Sequence, residues 1–134
     1  MKKVIFALAL GLASAMASAA VYEVAITGPG GHSNGSYGNT NAVHAGARAI
    51  MALEKALPCA DVANFHGGAS VNAIAADAHF TVDTARCTKV SAAKAKAAVE
   101  KAIKAGADTE NAFRGVKKGD LTKGFPADIT YEIK

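Results

Sequence analysis

Residues 27–41 read TGPGGHSNGSYGNTN, with five glycines, one proline and a single histidine, His32, near the middle. Glycine is the residue that adopts left-handed and otherwise crowded backbone at low cost, so this density marks a shaped loop. On its N-terminal side, residues 21–27 (VYEVAIT) alternate. Tyr22, Val24 and Ile26 fall on one face and Glu23, Ala25 and Thr27 on the other, the period of a half-buried strand. On its C-terminal side, Asn39, Thr40 and Asn41 offer helix N-caps. From Ala42 onward Val43, Ala47, Ile50, Leu53 and Leu57 recur at helical spacing until Pro58 stops the run. The loop therefore joins a strand to a helix and holds His32 between them.

The rest of the chain continues the pattern. Residues 61–66 (DVANFH) predict a short second strand ending at Gly67-Gly68, and residues 69–77 an extended excursion. Residues 78–86 alternate again, with Ala78, Phe80, Val82 and Thr84 facing one way, and predict a third strand. Ser91 caps a second helix with Ala92, Ala95, Val99 and Ile103 inward, which Gly106 is expected to end. Residues 107–126 read as a loop or a short irregular element, and residues 127–134 as a last strand. The order β-α-β-β-α-β predicts an α+β fold: a two-layer ferredoxin-like sandwich, with two helices on one face of a four-stranded antiparallel sheet.

The N-terminus has a different character. Lys2 and Lys3 precede an apolar run over residues 4–12, and Ala17-Ser18-Ala19 is a small-x-small cleavage pattern. This reads as a secretory signal over residues 1–19, too short to span a bilayer and leaving no membrane span after cleavage. Removing 19 of the 134 residues leaves 115, one small domain (residues 20–134) in the periplasm or outside the cell. Loss of the two lysines lowers the formal charge from +4 to +2. The lysines late in the chain lack the arginine and aromatic partners of a nucleic-acid surface, and read as a solvated helix face.

Cys59 and Cys87 are the only cysteines. An even count in an oxidising compartment suggests one disulfide, the alternative being two separate buried thiols. Antiparallel pairing of the two middle strands independently brings the two positions together. A bridge would close a loop of about 29 residues, worth roughly 3–4 kcal/mol by chain entropy.

The chemistry is sparse. His32, His44, His66 and His79 match no compact metal-ligand spacing, and no H-x-D or adjacent glutamate pair occurs. No metal site and no cofactor are expected. There is no G-x-S-x-G elbow, no Lys-Ser/Thr ending to the glycine loop, and no complete G-x-G-x-x-G. The loop does enter a helix N-terminus, where a carboxylate is able to dock beside His32. The alternative for His32 is a structural histidine bonded to backbone.

The motifs G-x-G-G-H-S, G-G-A-S-V-N-A-I-A and V-D-x-x-R, in this order and at this separation, resemble the dimerisation domain of the M-twenty metallopeptidases. That family includes aminoacylases, carboxypeptidase G and succinyl-diaminopimelate desuccinylase. The likeness runs over residues 21–105 and implies the same two-layer fold. In that family the module is inserted in a catalytic domain holding two zinc ions, which this chain has no room for. The resemblance thus implies a free-standing, non-catalytic interaction module, a homodimer or a partner of a family metallopeptidase. It also implies roles. His32 matches the histidine that reaches a partner's active site and stabilises an oxyanion, and Asn72 matches the asparagine that binds substrate beside it. Gly67 and Gly68 match the glycine pair before that asparagine, as Gly30 and Gly31 match the loop backbone. Arg86 matches the family arginine only roughly, one residue late, and Ala75 stands where proline is usual. A small peptide or amino-acid carboxylate is the implied ligand, bound in place or with His32 supplied in trans to a separate zinc hydrolase.

Overall fold

The computed structural model describes residues 20–134; the expected signal at residues 1–19 lies outside them. Four strands form the main sheet: β1 (Val21–Thr27), β3 (Asp61–Gly67), β5 (Asp77–Asp83) and β8 (Thr130–Ile133), in the order β3-β5-β1-β8 with every neighbour antiparallel. Two helices, α1 (Ala42–Ala56) and α2 (Ala92–Phe113), cover one face. This is the ferredoxin-like arrangement. The α1 crossover carries the chain from β1 over to the outer strand β3, and β5 returns between them.

The core lies between these layers. Val24 and Ile26 of β1, and Ala78, Phe80 and Val82 of β5, pack against Leu53 of α1 and Val99 and Ile103 of α2. The other face of the sheet is polar, as expected of an antiparallel sheet with one side in water. The lysines at 89, 94, 96, 101 and 104 are exposed, as the charge pattern implied. Asn41 is the α1 cap, its side chain accepting from the Val43 and His44 amides, and Ser91 caps α2. A Cys59–Cys87 disulfide ties the turn before β3 to the turn after β5, with Cα atoms 5.1 Å apart. Pairing of Asp61 with Asp83 in the ladder sets that proximity.

Three expectations are corrected. First, α2 does not end at Gly106. It runs on to Phe113, and the left-handed Gly115 stops it, with Gly115 N–H bonded to the Ala112 carbonyl and Val116 N–H to that of Asn111. Gly106 instead permits close approach of the helices. A Cβ there would stand 2.6 Å from the Ala45 carbonyl oxygen and from the Ala49 backbone nitrogen.

Second, the buried stripe of α1 is Ala42, Ala45, Gly46, Ala49 and Leu53. Val43, Ala47 and Ile50 are only half-buried, because the close approach of the two helices at Gly106 puts Ala45 and Ala49 in the contact. Third, residues 107–126 are not all loop. After α2 comes a small hairpin of β6 (Leu121–Thr122) and β7 (Phe125–Pro126), turning on Lys123 and Gly124, both with positive φ.

Candidate functional site

The glycine loop is held from three sides. Its segment β2 (Gly31–His32) pairs antiparallel with β4 (Ala73–Ile74), so His32 lies opposite Ala73. The Ser33 amide donates to the Asn72 carbonyl at 2.9 Å, and the Gly28 amide to that of Ala76 at 2.8 Å. Thr40, fully buried, donates its hydroxyl to the Ala127 carbonyl at 2.7 Å. Gly31 has φ +128, and a Cβ there would press into Ser36 at 2.5 Å. No other residue fits this turn.

These contacts bring His32 and Asn72 together. The Asn34 amide donates to His32 Nδ1 (3.2 Å), so the neutral ring carries its hydrogen on Nε2. Nε2 lies 3.4 Å from the Asn72 side-chain amide, whose other atom is 2.8 Å from Ser70 Oγ. All three contacts are satisfied when the amide oxygen accepts from Nε2–H and the amide NH2 donates to Ser70. His32 and Asn72 are thus an exposed, mutually oriented pair of hydrogen-bonding side chains.

Gly67 ends β3 opposite Ala78, and the Gly68 amide donates to the Asp77 carboxylate at 3.1 Å. That bond, and then the His79 ring, hold the Asp77 carboxyl below its ordinary value of 3.8. Arg86 is not brought to this end. It lies beyond the far end of β5, about 20 Å along the strand from Asp77, and pairs with Asp61 at 3.0 Å.

The start of α1 offers no open anion site. The Ala42 amide donates to the Ala75 carbonyl, the Val43 and His44 amides to Asn41 Oδ1, and the Asn41 amide to Glu110. The reading of a carboxylate docked on that helix end is therefore corrected. What the loop has instead is a cleft of about 230 Å³ against the β6–β7 hairpin, lined by His32, Ser36, Asn39, Lys123 and Phe125. Lys123 Nζ reaches Ser36 Oγ at 3.5 Å. Sequence reasoning missed Lys123 because residues 107–126 carried no periodic signal. The Lys-Gly pair at the turn was the trace to follow.

No group of three or more His, Cys, Asp or Glu side chains converges to hold a metal among the described residues. No described helix is long and apolar enough to cross a membrane.

The fold and this loop define a two-layer α+β module with a histidine–asparagine loop pair. A family model described as the peptidase dimerisation domain matches residues 15–111, and the chain belongs to that family. Solved structures agree on the fold. A hydantoinase/carbamoylase family amidase from Burkholderia multivorans is 18% identical, with a TM-score of 0.59, 87% of this chain covered and 26% of that one. The corresponding amidase from Burkholderia vietnamiensis is 19% identical with a TM-score of 0.58, again over 87% of this chain and 26% of that one. An aminobenzoyl-glutamate utilization protein from Klebsiella pneumoniae is 15% identical with a TM-score of 0.52, over 87% and 27%. The chain thus spans about a quarter of the length of these structures. No curated protein sequence matches it.

Proposed function

We propose that this chain is an exported, non-catalytic interaction module that self-associates through the outer edge of β3 and the adjoining flank of α1. One observation carries the reading. β3 is an edge strand of the main sheet with Phe65 exposed at 41%, and α1 carries half-buried Val43, Ala47 and Ile50 and Met51 exposed at 61%. Phe65 packs under α1 at Gly46, which joins strand edge and helix flank into one apolar strip. An open edge is a template for another strand unless it is covered, and a second copy covers it symmetrically.

Light scattering of Ala47→Glu/Met51→Glu tests this. Neither side chain is in the fully buried core, so the variant should fold and become monomeric where the parent chain is dimeric. A family metallopeptidase bound by the same edge is the other partner this reading admits. Export is tested by the mass of the secreted chain, expected to begin at Ala20. The isolated chain should show no hydrolase activity.

A second reading rests on the His32–Asn72 pair and its cleft. The exposed His32 ring and Lys123, which line the same cleft, suit the carboxylate of a small peptide or amino acid, held in place or presented in trans to a separate zinc hydrolase. That carboxylate would compete with Asn72 for His32 Nε2–H. Calorimetry with a peptide panel separates the two readings. Heat that disappears in His32→Ala supports the second, and its absence across the panel removes it.

A further inference from the structure

Past His32, the tip of the glycine loop reads Asn34-Gly35. The other asparagines, Asn39, Asn41, Asn64, Asn72 and Asn111, are each followed by a residue that carries a side chain. Asn34 and Gly35 are both exposed. The Asn34 main-chain amide donates to His32 Nδ1 at 3.2 Å, but among the described residues neither the Asn34 side chain nor the Gly35 amide enters a hydrogen bond. The turn over the pair is closed by the Ser36 amide, which donates to the His32 carbonyl at 2.8 Å. A Cβ placed on Gly35 would meet nothing within 4 Å, so no packed neighbour restrains the peptide plane that joins the two residues. The side-chain amide carbon of an asparagine lies within five-membered-ring reach of the next residue's nitrogen. Glycine at that next position leaves the approach unhindered and adds the backbone freedom that closing the ring requires.

We propose that Asn34 is a site of spontaneous deamidation, which turns the neutral tip of the His32 loop acidic. The Gly35 nitrogen attacks Asn34 Cγ, and the new N–C bond closes a succinimide ring. The Cγ–N bond to the side-chain nitrogen breaks, and that nitrogen leaves as ammonia with the proton lost by Gly35. Water then adds to one of the two ring carbonyls and opens the ring. The product is aspartate, or isoaspartate where the main chain is rerouted through the side chain. Water is consumed, ammonia is released, and nothing is oxidised or reduced. The attack needs the turn to open, which at an exposed loop tip costs little. The modification puts a carboxylate two residues from His32, and isoaspartate also lengthens the main chain by one carbon between His32 and Ser36. On the carboxylate-binding reading of the His32 cleft, on which this consequence alone rests, the added charge opposes the ligand.

Peptide mapping by mass spectrometry tests the site, on the folded chain held over days in mildly alkaline buffer. The mass gain of amide-to-acid conversion should appear first in the peptide carrying Asn34, as a mixture of aspartate and isoaspartate that chromatography separates. The peptides carrying Asn39, Asn41, Asn64, Asn72 and Asn111 should lag well behind. Gly35 is not among the left-handed glycines and has open space around it, so Gly35→Ala should fold as the parent does. A side chain at that position should slow the conversion at least about 10-fold by crowding the attacking nitrogen. Mapping needs no ligand, so its result stands apart from whether the cleft binds a carboxylate. No mass gain at Asn34, a gain no faster there than at the other asparagines, or a rate that Gly35→Ala leaves unchanged overturns the proposal.

Discussion

Glu110 is the residue whose surroundings say most about how the fold is closed. It is fully buried, accepts from the Asn41 amide at 3.0 Å, and meets the Nε atoms of Arg48 at 3.2 Å and Arg114 at 3.4 Å. The two guanidiniums lie over the Phe113 ring, at 5.1 and 4.9 Å from its centre. One carboxylate thus ties α2 to the cap of α1, just after the glycine loop. Glu110→Ala should lower stability by about 2–3 kcal/mol, less than a fully buried pair costs, because water still reaches both arginines. Urea unfolding measures it. Nothing in the sequence announced Glu110, since its weight depends on a helix continuing past a glycine.

Asp77 makes a pH prediction at the same scale. Its folded-state acidity is strengthened by the Gly68 amide and His79, so its folded pKa lies below its unfolded one. The stability it adds is present above the ordinary carboxylate range and is lost as pH falls through the folded value. Asp77→Asn should therefore lower stability at neutral pH, where the ionised carboxylate contributes, and converge with the parent chain as pH falls, which flattens the acid limb of the stability curve. Unfolding midpoints between pH 2 and pH 7, with and without the substitution, check this.

At the scale of elements, the lesson lies in the helices. Period placed β1 and the start of α1, and capping chemistry placed Ser91 and offered Asn41, the cap, among three candidates with Asn39 and Thr40, because alternation and capping are local chemistry. Period failed at Gly106, since a glycine that ends a helix and one that admits a neighbouring helix look alike in sequence. Only the 2.6 Å approach to Ala45 and Ala49 tells them apart. Gly106→Ala consequently discriminates. As a helix end, the glycine would be replaced at modest cost. Mid-helix on a surface, alanine would gain about 1 kcal/mol. In this crossing it should cost about 1–3 kcal/mol by overpacking, read from the thermal or denaturant midpoint. The same crossing explains why Val43, Ala47 and Ile50, which look like a core stripe, sit on the flank. The sequence showed that α1 is amphipathic, but the depth of each position depends on how close α2 comes.

For the whole molecule, the β-α-β-β-α-β order and the cysteine pair were legible together, since the pairing of β3 with β5 brings Cys59 beside Cys87. Replacing both cysteines by alanine should cost about 2–4 kcal/mol, and guanidinium unfolding compares the two chains. The candidate site was legible only where it follows the loop motif. His32 and Asn72 meet, while Lys123 comes from a hairpin with no periodic signal. Arg86, matched by motif one residue late, ends at Asp61 instead.

The open edge of β3 and the apolar flank of α1 belong to this largest scale, and the account turns on what covers them. Sedimentation equilibrium of the untagged chain, run over a wide concentration range beside Ala47→Glu/Met51→Glu, tests this most directly. The account predicts a dimer that the paired substitutions convert to a folded monomer. A parent chain that stays monomeric throughout, or a dimer the substitutions leave intact, would contradict it.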